Sequence, residues 1–209
     1  MKVVTCIVAL ILLGQSSLWG HEIVGEGTPL MVSMNHALSF IEAKKGEGAI
    51  RMAESIYEDF HPPMSGMNHA RSKEPGLKTT SKRIDTKFGT KTLPSLADAI
   101  REKDPKKLKA EMEWLSFLLV LEKFDLLQTE NRANPQARIT TFWLGRNYFS
   151  YLLEPAIAKA DPMEEQRLNR LLDKMLYRLE DGEEAAFIVL RQELIGGIVR
   201  FFNFRVPQT

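Results

Sequence analysis

The chain has 209 residues, with 28 lysines and arginines against 27 aspartates and glutamates, four histidines and one cysteine. The formal net charge of +1 leaves no electrostatic footprint for nucleic acid. One cysteine excludes an internal disulfide framework, and the lack of Cys-x-x-Cys-His excludes covalent haem.

The first twenty residues read as a secretory signal peptide. Lys2 is followed by the apolar run VVTCIVALILL and then by the polar GQSS. The run is too short for a spanning helix, which needs about 20 apolar residues. Cleavage is expected after Gly20, with Leu18 and Gly20 at the recognised positions, or else after Ser16 or Ser17. Cys6 lies near the start of the run, where a lipoprotein cysteine would follow it, so lipidation is not expected. Loss of the signal removes Lys2 and Cys6, which leaves 27 basic and 27 acidic residues and no cysteine. The mature protein, residues 21–209, is expected in the periplasm or outside the cell, as a single helical domain with its own core.

The expected fold class is all-α, about seven helices packed as antiparallel hairpins. An N-terminal pair occupies 21–60. PLMVSMNHALSFIEAKK carries Leu30, Met34, Ala37, Leu38 and Ile41 at helical spacing, and GAIRMAESIYEDF carries Ile50, Ala53, Ile56, Tyr57 and Phe60. Pro62-Pro63 stops the second helix. From 61 to 92 no periodic pattern appears, and a long irregular loop is expected. Its stretch 71–91 holds seven basic and two acidic residues. That stretch is either a solvated segment or an arm for an exported or membrane partner.

A helical core is expected over 93–204. It starts with LPSLADAIREKD, and three Asx-Pro steps then mark further helix starts. These are Asp104-Pro105, Asn134-Pro135 and Asp161-Pro162. The last helix, EEAAFIVLRQELIGGIVRFFNF, is apolar but interrupted by Arg191 and Glu193. It is expected to be the central core helix, with Gly196-Gly197 admitting a neighbour closely.

The chemistry-bearing residues cluster early. All four histidines, His21, His36, His61 and His69, precede residue 70, together with Met31, Met34, Met52, Met64 and Met67. The stretch HPPMSGMNH, 61–69, places His61, Met64, Met67 and His69 within nine residues. Thioether sulfur is soft and imidazole borderline, so this donor set suits copper, Cu(I) in particular, better than zinc or magnesium. The stretch resembles the Met/His motifs of exported copper-resistance proteins. His36 and His21 are accessory candidates. His36 lies near the apolar stripe of its helix, where a packed structural histidine is the competing reading, and Met31, Met34 and Met52 are expected to fill the core.

Two further metal readings use other ligands. Glu54, Glu58 and His61 are spaced i, i+4, i+7, and Glu58-x-x-His61 is half of a di-iron motif without its second copy. Non-covalent haem between a histidine and a methionine is the other. Arg138, Arg146, Tyr148 and Glu154 form a candidate buried polar cluster. Hydrolytic catalysis has no support, since there is no Gly-x-Ser-x-Gly elbow and no cysteine in the mature chain. The expected function is therefore an exported metal-handling protein, a copper carrier, buffer or sensor. A helical interaction module and a haem- or iron-binding protein are the alternatives.

Overall fold

The computed structural model describes residues 27–61, 73–129 and 134–207. The expected signal peptide, residues 1–20, lies outside the described residues. Among the described residues the chain forms nine helices and no strand. They are α1 (Pro29–Glu42), α2 (Gly46–Ser55), α3 (Leu77–Phe88), α4 (Thr92–Arg101), α5 (Pro105–Leu126), α6 (Pro135–Leu152), α7 (Glu154–Ala160), α8 (Pro162–Glu180) and α9 (Glu184–Phe202).

Four of these begin at a step where a capping side chain precedes proline. Asp104 accepts hydrogen bonds from the Lys106 and Lys107 backbone N–H groups at 2.9 and 3.1 Å. Asn134 accepts from Ala137 N–H at 3.1 Å, Asp161 from Glu164 N–H at 3.0 Å, and the Thr28 hydroxyl from Met31 N–H at 3.3 Å. The cap satisfies otherwise orphaned N–H groups, and the following proline has no N–H to orphan. The three Asx-Pro starts thus fall where the sequence predicts them.

Two helices were not expected. The stretch 136–160 does not run as one helix, because Pro155 has no N–H to donate to the Tyr151 carbonyl. The chain breaks at Leu153 and resumes as α7. The irregular loop expected over 61–92 is corrected more strongly, since residues 77–88 form α3. This helix buries Leu77, Thr80, Ser81, Ile84 and Phe88. Only three of those five are large and apolar, so its periodicity is weak in sequence.

Neighbours beyond the helix hold both ends of α3. At its start, Leu77 and Lys78 donate backbone hydrogen bonds to the Ile56 and Tyr57 carbonyls at 2.8 and 2.9 Å. Gly76 sits in this junction, where a Cβ would lie 2.2 Å from the Glu58 carbonyl oxygen, so only glycine fits. At its other end Gly89 takes φ +65 and closes the helix. Asp85 then accepts from the Thr92 and Leu93 N–H groups at 2.7 and 2.8 Å and so caps α4.

The central helix is α5, not the last one. Its buried residues run without a break from Leu115 to Glu122, and it packs against α1, α2, α3, α4, α6 and α9. A helix apolar on all sides belongs in the middle of a bundle. The final helix, α9, instead pairs mainly with α8 and leaves Val189 53 % exposed. Gly197 does admit a close neighbour, the Leu168 side chain of α8, whereas Gly196 meets only the tip of Arg200. Phe204 anchors the end of the chain on α5, with ring centroids 5.3 Å from Trp114 and 5.2 Å from Phe117. No described helix is long and apolar enough to cross a membrane.

Candidate functional site

Helix α2 ends at Ser55, five residues before the expected stop, and the chain turns through Ile56 to Asp59. Phe60 and Glu74 then exchange backbone hydrogen bonds of 3.0 and 2.8 Å in an isolated antiparallel bridge. His61 follows the bridge directly and is exposed. Met64, Met67, His69 and His21 lie outside the described residues.

His36 is exposed on α1, which corrects its reading as a packed histidine. Met34, Ala37 and Leu38 are buried. Residue 36 stands about 200° around the helix from Met34 and so faces away from them. Met31 and Met34 are fully buried core residues, as expected, and Met52 packs partly against the core.

Among the described residues, no group of three or more His, Cys, Asp and Glu side chains is arranged to hold a metal ion. The Glu54, Glu58, His61 spacing is one casualty. Because α2 stops at Ser55, Glu58 and His61 are not on the helix with Glu54, and Glu58 pairs with Lys78 of α3 at 2.6 Å.

Where it is described, the basic stretch 71–91 folds in part as α3, and three of its basic side chains contact other groups of the chain. Lys78 is bound to Glu58, and Arg83 contacts the buried carboxylate of Glu122 on α5. Lys87 lies over the Phe88 ring at 5.5 Å. Lys123 completes the Glu122 site at 3.3 Å. A buried carboxylate with two cations is a structural element whose separation leaves an uncompensated charge.

The expected cluster of Arg138, Arg146, Tyr148 and Glu154 does not assemble. Arg138 pairs with Glu184 at 2.8 Å, Arg146 with Asp173 at 2.8 Å, and Glu154 accepts from Asn169 at 2.9 Å. Tyr148 is buried alone of the four; loss of solvent pushes its hydroxyl pKa up, against the Arg83 charge nearby. Two of these partners, Asp173 and Asn169, come from α8 and one, Glu184, from α9.

A different set of charged groups does converge, in a cleft of about 410 Å³ between α1, α5, α6 and α7. Its walls include Leu38, Leu152, Pro155 and Ala156. Glu42, at the end of α1, contacts Lys109 of α5 with one carboxylate oxygen and Lys159 of α7 with the other. These two ammonium groups hold the Glu42 carboxyl down at about 2. Glu113 is one turn along α5 from Lys109, with a side chain only 13 % exposed. Burial pushes its carboxyl up, and Lys109 opposes that from 3.7 Å. Two carboxylates in one cleft are thus driven in opposite directions, which marks functional sites more often than ordinary surface.

Sequence reading missed this cleft because Glu42 is 67 residues from Lys109 and 117 from Lys159. Each reads alone as a solvated charge. The one local signal was Pro155, which breaks the helix and redirects Lys159 toward α1.

A smaller cleft, of about 340 Å³, lies between α5 and α9 with Asp125 and Arg191 in contact on its wall. Burial raises the Asp125 carboxyl, opposed by Arg191 and Lys87. Neither cleft is lined by His36 or His61.

Comparison with protein-family models, with curated proteins and with solved structures finds no match for this chain.

Proposed function

We propose that this protein is an exported metal-handling protein, a carrier, buffer or sensor that binds copper. The donors are His61, Met64, Met67 and His69, with His36 and His21 as accessory groups. The observation that carries the reading is the position of His61. It is exposed at the root of a segment whose ends are held by the Phe60–Glu74 bridge. Three more soft or borderline donors follow within eight residues. With its ends already joined, the segment wraps an ion at a smaller ordering cost than a free tail does. In an oxidising compartment, methionine and histidine offer copper ligands without an oxidisable thiol. Export itself is proposed from Lys2, the apolar run and the polar exit after it.

The test is a Cu(I) titration of the chain beginning at His21, under reducing conditions and against a competing chelator. Submicromolar binding that weakens at least about tenfold in the M64A/M67A variant supports the proposal. Binding no tighter than micromolar, or unchanged in that variant, removes it. Elemental analysis of protein purified from its own host separates copper from the iron or haem alternative.

A further inference from the structure

The cleft between α1, α5, α6 and α7 holds two carboxylates that share one lysine. Glu42 is satisfied, with a lysine on each oxygen. Lys109 leans toward Glu42 and stands 3.7 Å from Glu113, beyond ordinary hydrogen-bond length. Glu113 is therefore a largely buried carboxylate, in an apolar cleft, whose cationic partner Lys109 is shared with Glu42 and lies closer to Glu42. A carboxylate in that position is stabilised by a positive donor that can enter with it.

We propose that this cleft binds a small organic cation, an ammonium group on a compact apolar body. The ammonium pairs with Glu113, and the body lies on Leu38, Leu152 and Pro155. The volume, about 410 Å³, falls within the range of small-molecule sites. An anion fits the same cleft less well. It must displace the tethered Glu42 carboxylate from both lysines, and it meets a second carboxylate in Glu113. An uncharged molecule leaves Glu113 as it was. The inference stands apart from the copper reading and uses none of its residues.

The experiment is a calorimetric titration of the full chain with 2-phenylethylamine, run beside 3-phenylpropionate and 2-phenylethanol. These match in their ring and differ in the charge of the head group. The expected result is saturable binding of the amine, at least about tenfold tighter than either control. E113Q abolishes that preference, and Ala156→Phe, which fills the cleft wall, weakens all binding there. Circular dichroism checks that each variant remains helical. If E113Q does not fold, Ala156→Phe alone decides. No saturable amine binding, an amine affinity that survives E113Q or Ala156→Phe in the folded protein, or preference for the propionate overturns the proposal.

Discussion

The two candidate sites of this molecule are built in opposite ways. His61, Met64, Met67 and His69 are neighbours in sequence, and their chemistry is visible in one line of residues. Glu42, Glu113, Lys109 and Lys159 come from three helices and become a site only when α1, α5 and α7 pack together. The first set depends mainly on donor type, aided by its held base, and the second wholly on placement. A local set should survive damage to the core, and an assembled set should not.

The strongest way to break this comparison is through the core. Phe117 is fully buried on α5 and contacts both Trp114 and Phe204. Phe117→Ala is expected to cost about 3–5 kcal/mol, read from urea unfolding. In urea just sufficient to unfold that variant, the amine site is lost while Cu(I) affinity falls far less. Equal loss of both would erase the distinction between them.

Gly76→Ala acts at the junction that holds the segment's base. Its Cβ meets the Glu58 carbonyl at 2.2 Å, and backbone must move. A loss of about 1–3 kcal/mol is expected, again from denaturant unfolding. If the held base assists copper, Cu(I) affinity falls as well, although no donor has changed. An unaltered affinity would show that donor type alone governs that site.

The M64A/M67A variant tests the local set by itself. It is expected to weaken Cu(I) by about tenfold or more, roughly 1.4 kcal/mol, with the unfolding midpoint hardly moved. A large loss of stability would assign those methionines to the core instead.

The smallest effect is electrostatic and belongs to the cleft. The Glu42 carboxyl is lowered from 4.5 to about 2 in the folded protein. A group lowered on folding contributes stability above its unfolded value, and that stability is lost as pH falls through the folded one. The window is therefore from about 4.5 down to about 2. Glu42 is 39 % exposed, so solvent screening limits the effect to about 1 kcal/mol or less. Thermal unfolding of E42Q across that range should lack this component. Glu113 has the opposite sign, since its raised carboxyl is less favourable when ionised. E113Q is accordingly expected to raise the melting temperature slightly at neutral pH, and a fall would indicate a stronger Lys109 pairing than 3.7 Å implies.

Much of the fold was legible because its signals are local. A cap and a proline act within one turn, so Asp104, Asn134 and Asp161 mark three helix starts without reference to anything distant. The burial of Met31 and Met34 followed from spacing alone. The missed helix α3 has a non-local cause. Helix α3 has few apolar residues, and it is held by Ile56, Tyr57 and Gly76 at one end. Helix α4 falls where LPSLADAIREKD predicts it, but its cap comes from Asp85, seven residues before Thr92. The apolar pattern of α9 suggested the centre of the bundle, yet α5 holds that place, because hydrophobic content does not say which helix the others will surround.

The sequence by itself determined the all-helical class, most helix starts, and the concentration of soft donors before residue 70. Periodicity, capping and donor chemistry all reside within a few consecutive residues. Only the tertiary structure decided which helix is central, that 77–88 is helical, and that Glu42 meets two lysines beside an under-partnered Glu113. Contacts between residues 67 or 117 apart depend on how every intervening helix packs, and no local pattern carries that information.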